Sequence, residues 1–174
     1  MGITGTEVAK EASDMVLADD NFATIVSAIK EGRTIYDDIK KYLLYLLGCN
    51  ISEILIPLFA SFAALPLPFF AIHYLWINLV TDGFPAMALG IDPAEPDIME
   101  RPPRKLKEGI FSKNETITYL AFTPIVTSIV IIFSFFNRLS AESVVEARTE
   151  IFTLMIVIEL LIALSCRSLR YSVF

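Results

Sequence analysis

The chain has 174 residues, of which 55% are hydrophobic and 20% are charged, and its formal net charge is −6. Soluble domains usually contain about 45–50% apolar and about 25% charged residues, so this composition excludes a disordered chain and an ordinary soluble domain. The two cysteines are far apart, which excludes a disulfide scaffold, and the acidic balance excludes a nucleic-acid partner. We therefore expect membrane lipid to surround most of the chain.

The first 41 residues are predicted to lie in water. Residues 14–19 have the pattern of a short buried strand, and Phe22, Ile25, Val26 and Ile29 recur at helical spacing after a cap at Asp20 or Asn21. About 30 residues cannot bury a core of their own, so we expect upstream sequence to complete this unit. The pattern predicts a short α/β remnant of a cytoplasmic domain.

Four apolar segments then follow, each near the length of about 20 residues that a transmembrane helix needs. They cover about 42–64, 72–90, 116–136 and 149–166, and the Leu-Pro-Leu-Pro sequence at 65–68 predicts a tight hairpin between the first two. The predicted fold class is mainly α: a polytopic transmembrane bundle of four spans, preceded by the α/β remnant.

Basic residues mark one side of this bundle, as cytoplasmic loops do in membrane proteins. They precede the first span, separate the second from the third and follow the fourth, so both ends of the chain are expected in the cytoplasm. The basic residues on this side are Lys30, Arg33, Lys40, Lys41, Arg101, Arg104, Lys105, Lys107, Lys113, Arg167 and Arg170.

Three acids fall near the middle of the predicted spans: Glu53 in the first, Asp82 in the second and Glu159 in the fourth. Each costs about 2.5–3.5 kcal/mol at the bilayer centre, or roughly 7–10 kcal/mol together if nothing compensates them. They are therefore either protonated or close to a cation.

The neighbouring residue types favour a cation. Asn50, Asn78 and Thr81 add only oxygen ligands, which suits hard cations such as Ca²⁺, whereas Cys49 is alone and offset around the helix from Glu53. A structural hydrogen-bond cluster is the alternative. The predicted cation ligands are Asn50, Glu53, Asn78, Thr81, Asp82 and Glu159.

Two prolines follow these residues at a spacing that frees backbone carbonyls. Proline removes the donor to the carbonyl four residues earlier, so Pro57 frees that of Glu53 and Pro85 frees that of Thr81. Freed carbonyls at membrane depth are typical of ion sites, although transmembrane prolines are also tolerated without such a role.

Six stretches carry a specific resemblance to a known family: residues 2–22, 31–33, 50–53, 75–86, 97–104 and 158–164. Together they resemble the P-type ATPases, and in particular the type II calcium pumps. Residues 2–22 resemble the end of the phosphorylation domain, and 158–164 resembles the eighth transmembrane helix. The other matching stretches are EGR at 31–33 and NISE at 50–53 of the fifth helix, LWINLVTDGFPA at 75–86 of the sixth, and DIMERPPR at 97–104 of the loop that follows.

The resemblance implies ATP-driven Ca²⁺ export through an aspartyl phosphate, with Mg²⁺ as cofactor, and assigns the six predicted ligands to the transported ion. It implies a division into 1–33, the end of the phosphorylation domain, and 34–174, the transport domain. The phosphorylated Asp motif, the actuator and nucleotide domains and the first four helices are not in this sequence. The chain is therefore expected to be an inactive C-terminal fragment without catalytic residues.

Two alternatives remain open at this point. The pump could carry Mn²⁺ or Na⁺ in place of Ca²⁺, or the chain could be a truncated, non-catalytic membrane protein. In each case the expected location is the cell membrane, as a multi-pass protein.

Overall fold

The computed structural model describes residues 1–104, 109–139 and 143–169. These residues form helices and connecting segments and contain no strand, which confirms the mainly α fold class. Three of the basic residues used for the topology prediction, Lys105, Lys107 and Arg170, lie outside the described residues. In chain order the elements are α1 (Glu7–Glu11), α2 (Phe22–Phe62), α3 (Ala71–Trp76), the π-helical π1 (Ile77–Thr81), α4 (Gly83–Leu89), α5 (Lys113–Glu115), the π-helical π2 (Thr116–Phe122), α6 (Thr123–Leu139) and α7 (Val144–Cys166).

Three helical stretches are long and apolar enough to cross a membrane, namely Phe22–Phe62, Lys113–Leu139 and Val144–Cys166. They contain the first, third and fourth predicted spans. The second predicted span, at about 72–90, is divided among α3, π1 and α4, none of which is long enough to span alone. The described residues are thus those of a multi-pass membrane protein, and the second predicted span, at about 72–90, stays a prediction.

The chain divides into two compact units. The first comprises Met1–Asp37 and Pro93–Arg104, and the second comprises Asp38–Asp92 and the described residues that follow Arg104. Helix α2 contributes residues to both units, so the unit boundary falls within a continuous helix.

The predicted strand at 14–19 in the first unit is wrong. These residues are irregular, and all of them are exposed except the half-buried Leu17. A strand needs a partner for its backbone groups, and no other strand occurs among the described residues. The helix predicted after this segment is confirmed: α2 begins at Phe22, and the Asn21 side chain accepts a 3.0 Å hydrogen bond from the N–H of Ala23.

Asp20 holds the first residues of the chain against this segment. Its carboxylate accepts hydrogen bonds from the backbone N–H groups of Ile3 and Thr4 at 3.2 and 2.8 Å, and from the Thr4 hydroxyl at 2.7 Å. The Thr4 hydroxyl contributes most to lowering the pKa of Asp20 from 3.8 to about 2. Asp20 itself adopts a left-handed backbone conformation with φ of 51°, which aspartate tolerates better than most residues.

We expect acid to release this contact. Because the pKa of Asp20 is lowered in the folded chain, its stabilising contribution is complete above pH 3.8 and is lost as the pH falls through about 2. Amide hydrogen exchange at Thr4, corrected for its intrinsic pH dependence, should accelerate over this range. An Asp20→Ala variant should exchange rapidly at every pH, and equal protection of Thr4 in the variant would contradict the assignment.

Arg101 forms ion pairs with three acidic residues of the first unit. Its guanidinium forms ion pairs with Asp37, Glu95 and Asp97, and the contact with Asp97 makes the largest contribution to raising the pKa of Arg101 above its ordinary value. Arg33 adds two 2.8 Å hydrogen bonds, to the carbonyl oxygens of Ile98 and Arg101. Two arginines therefore join the start of α2 to residues 93–104.

Replacing Arg101 by alanine should loosen residues 93–104. Charge-assisted hydrogen bonds contribute about 1.5–3 kcal/mol, and the substitution removes the guanidinium that pairs with three carboxylates. We expect faster proteolysis within this segment, measured by mass spectrometry. Lys10→Ala, which breaks the more exposed ion pair with Glu7, is the control and should leave the cleavage rate of residues 93–104 unchanged. Equal rates for the two variants would contradict the proposed contribution.

The second unit has two buried apolar clusters. One joins Ile56 of α2 and Ile77 of π1 to Phe135 of α6 and Ile151 of α7, and the other joins Cys49 of α2 to Leu89 of α4 and Ala163 of α7. Many large apolar side chains point outward from the same helices, as expected where lipid replaces water as solvent. His73 has a structural role, since its Nδ1 accepts the N–H of Phe70 at 3.2 Å and its ring lies 4.9 Å from that of Phe152.

Candidate cation site

One face of α2 carries the first components of the site. Tyr45, Cys49 and Glu53 follow one another at intervals of four residues, which places them on one face of the helix, and all three are buried. The sequence-based placement of Cys49 away from Glu53 is therefore wrong, because residues four apart on a helix are neighbours. Asn50 lies beside this face and is half-buried, and its side-chain amide donates to the carbonyl of Leu46 at 2.7 Å.

The second component is the irregular helix between Ala71 and Leu89. In π1 the N–H of Asp82 donates to the carbonyl of Ile77 at 2.8 Å, five residues earlier, so the helix is locally widened. Such single π-helical turns are frequently found at functional sites. Thr81 and Asp82 are both buried at the end of this turn, directly before Gly83 and Pro85.

The Asp82 cluster, defined as Cys49, Asp82 and Glu159, brings α2, the irregular helix and α7 together. One ligand atom from each of these side chains lies within 4.8 Å of the others, and Glu159 is 0% and Asp82 1% exposed. Asp82 Oδ2 and both carboxylate oxygens of Glu159 have no hydrogen-bond partner among the described residues. Buried polar atoms normally have partners, so these three oxygens are candidates for binding a ligand.

The Glu53 cluster, defined as Glu53 and Asn78, is the second acidic group. Asn78 Nδ2 lies 3.0 and 2.8 Å from the two carboxylate oxygens of Glu53, and it also lies 3.1 Å from the carbonyl of Tyr74. Glu53 is 7% exposed, whereas Asn78 lies at the exposed side of its helix. The Asn78 amide therefore satisfies the buried carboxylate of Glu53 through its nitrogen.

The two carbonyls that the prolines were predicted to free both face tyrosine hydroxyls. Tyr45 Oη lies 3.1 Å from the carbonyl oxygen of Thr81 and 3.0 Å from Asp82 Oδ1. Tyr74 Oη donates to the carbonyl of Glu53 at 3.5 Å. Each hydroxyl comes from the opposite helix, so the pairs link α2 to the irregular helix on both sides of the site.

Five of the six predicted ligands thus belong to these buried or hydrogen-bonded groups. The side chains of Asp82 and Glu159 converge, and those of Glu53 and Asn78 form a pair. The backbone carbonyl of Thr81 contacts the hydroxyl of Tyr45. Asn50 contacts its own helix. The sequence interpretation missed the contributions of Tyr45 and Cys49, although their four-residue spacing from Glu53 was a signal that could have identified both.

A bundle of apolar helices with several acids turned inward defines a class of multi-pass membrane proteins with buried charge, because lipid-exposed charge is too costly to retain. Comparison with known families agrees with this class. Residues 66–174 match the family described as "Cation transporting ATPase, C-terminus", and the chain belongs to that family.

Individual relatives extend the similarity over the whole sequence. The chain is 50% identical over 170 residues to a Bacillus subtilis protein named "Calcium-transporting ATPase", covering 97% of this chain and 19% of the relative. It is 38% identical over 191 residues to "Calcium-transporting ATPase 1" of Bacillus cereus, and the match covers 100% of this chain and 21% of the relative. It is 40% identical over 180 residues to the Homo sapiens "Calcium-transporting ATPase type 2C member 1", and the match covers 100% of this chain and 19% of the relative. The chain therefore spans about a fifth of the length of these curated relatives.

Proposed function

We propose that this chain is the C-terminal transport part of a P-type ATPase that exports Ca²⁺ across the cell membrane. The observation that carries the proposal is the group of three unpartnered, buried carboxylate oxygens on Asp82 and Glu159. Anionic oxygens in a low-dielectric interior need a proton or a cation, and a cation that binds and leaves is the cargo expected of this family.

The ligand set suits Ca²⁺ because it is rich in oxygen. Ca²⁺ takes about six to eight oxygen ligands in flexible arrangements, and Asp82, Glu159 and the carbonyl of Thr81 supply several of them. The tyrosine Oη that lies 3.1 Å from the Thr81 carbonyl and 3.0 Å from Asp82 would have to move aside for both oxygens to reach one ion. The proposal therefore includes a displacement of Tyr45 when the ion binds.

The Glu53 cluster would take part after a small rearrangement. Turning the Asn78 amide by half a rotation replaces the nitrogen that now faces Glu53 with the amide oxygen, which a cation requires. Glu53 and Asn78 would then both offer oxygen to the ion. We assign Asn50 to the same ligand set on its position one turn from Glu53.

The remaining parts of the pump would lie in a longer protein, as the lengths of the relatives support. We propose that 1–33 ends the phosphorylation domain and that 34–174 forms the transport domain, with both ends in the cytoplasm. The outward-facing apolar side chains of Phe22, Val26 and Ile29 support a missing neighbour for the first turns of α2. ATP and Mg²⁺ would act in that longer protein, and lipid would cover the spans.

The transport activity is tested in vesicles from cells that produce the complete pump containing this chain. We expect ATP-dependent uptake of radioactive Ca²⁺ into inside-out vesicles, abolished by a calcium ionophore. ATP-dependent uptake of Mn²⁺ or Na⁺ without Ca²⁺ would overturn the choice of ion. The isolated chain should not hydrolyse ATP, and calcium-stimulated hydrolysis by it would overturn the assignment of catalysis to the missing parts.

A further inference from the structure

Cys49 places a sulfur atom among the oxygens of the Asp82 cluster. Its thiol is free, and the side chain is 0% exposed. Its Sγ lies within 4.8 Å of ligand oxygens of both Asp82 and Glu159, which themselves lie within that distance of each other. A buried thiol in an otherwise oxygen-rich pocket is not needed for Ca²⁺, which binds oxygen and leaves sulfur uncoordinated.

The spacing of the three atoms fits a single metal ion. Sulfur and oxygen ligands of a tetrahedral Zn²⁺ ion lie about 3.6 Å apart, because Zn–S distances are about 2.3 Å and Zn–O distances about 2.0–2.2 Å. The three ligand atoms lie within 4.8 Å of one another, so they would have to approach by up to about 1 Å, which side-chain rotation supplies. The two carboxylate oxygens of Glu159 give up no hydrogen bond among the described residues when they bind.

We propose that the Asp82 cluster also binds a soft or borderline divalent cation of the zinc and cadmium class, with Cys49 Sγ as a ligand beside Asp82 and Glu159. The inference rests on the proposed cation site and adds a second class of ion to it. Thiolate is the ligand that separates this class from Ca²⁺. As the metal–sulfur bond forms, the thiol proton leaves to solvent or buffer, and the metal replaces it on the sulfur.

The shared carboxylates make the two classes of ion compete. A cation held by Cys49, Asp82 and Glu159 occupies the oxygens that Ca²⁺ would need, so it would block Ca²⁺ binding rather than add to it. Removal of the thiol should therefore affect the two ions differently: the soft cation loses a ligand, and Ca²⁺ loses none.

The test uses Cd²⁺ with the purified full chain in lipid nanodiscs, because a cadmium–thiolate bond gives an ultraviolet charge-transfer absorption that Ca²⁺ cannot produce. We expect a saturable band at one equivalent of Cd²⁺, absent in Cys49→Ser. Cys166→Ser is the matched control, since Cys166 is the other buried cysteine and lies outside the cluster, and it should keep the band. Glu159→Gln should weaken Cd²⁺ binding at least about tenfold.

Competition with Ca²⁺ separates the inference from the proposed function. Addition of Ca²⁺ should remove the band in the native chain, and Cys49→Ser should still bind Ca²⁺, which also shows that this variant is folded. Ca²⁺ binding without a cadmium–thiolate band would overturn the inference and leave the proposed function standing. A band that depends on Cys49 in a chain that does not bind Ca²⁺ would support the soft-cation site and overturn Ca²⁺ as the cargo. A band lost in Cys166→Ser but kept in Cys49→Ser would overturn the assignment of the ligand.

Discussion

Replacement of Glu159 by glutamine is expected to lower the Ca²⁺ affinity of the chain at least about 100-fold. Loss of a residue that only hydrogen-bonds to a metal ligand already lowers metal affinity about 10–100-fold. Glu159 is proposed as a direct ligand, and its two carboxylate oxygens have no hydrogen-bond partner among the described residues. The side chain is fully buried in α7, and one of its oxygens lies within 4.8 Å of a carboxylate oxygen of Asp82. Glutamine keeps the shape and removes only the negative charge, so packing should be preserved. Calcium-dependent protection from proteolysis, titrated in nanodiscs, measures the affinity.

The same helix provides a matched control. Glu150 also lies in α7, but it forms a 2.6 Å ion pair with Arg138 and is partly exposed. Glu150→Gln should leave the Ca²⁺ affinity unchanged within about twofold, because a partly exposed ion pair contributes little. Equal affinities of Glu159→Gln and the native chain would contradict the proposed role of Glu159.

Replacement of Gly48 by leucine should destabilise the bundle by about 2–3 kcal/mol, because overpacking a close contact forces the backbone to move. A Cβ atom at Gly48 would lie 2.8 Å from the carbonyl oxygen of Tyr119, which belongs to π2. Small residues allow such close approach between membrane helices. Denaturation by sodium dodecyl sulfate, followed by circular dichroism, measures the loss of stability.

Gly32 is the corresponding control in the same helix. A Cβ atom there meets nothing within 4 Å, so Gly32→Leu should keep or increase stability through its better helix propensity, by up to about 1 kcal/mol. If both variants unfold at the same detergent fraction, the contact between Gly48 and Tyr119 does not hold the two helices together.

Most of the bundle could be predicted from hydrophobic length and proline spacing. The apolar runs predicted the long helices, and Pro57 and Pro85 predicted the freed carbonyls, because both follow from local backbone chemistry. The strand at 14–19 was wrong because its apolar residues match a strand only when a partner strand is present, and the described residues contain none.

The composition of the site was harder to predict than the helices. Convergence of Asp82 with Glu159 depends on how three helices pack, which periodicity within one helix cannot supply. Cys49 is discounted on the sequence alone as a single cysteine offset around the helix from Glu53, although its spacing of four residues places it on the same face. The hydroxyl of Tyr45 is missed for a different reason, since tyrosine in an apolar run usually indicates packing.

Infrared difference spectroscopy of the chain in nanodiscs, recorded with and without Ca²⁺, tests most directly whether the buried carboxylates bind the ion. We expect calcium-dependent changes in the carboxylate stretching bands that are smaller in Asp82→Asn and in Glu159→Gln than in the native chain. Identical difference spectra for the native chain and both variants would contradict this expectation, because Ca²⁺ would then bind elsewhere.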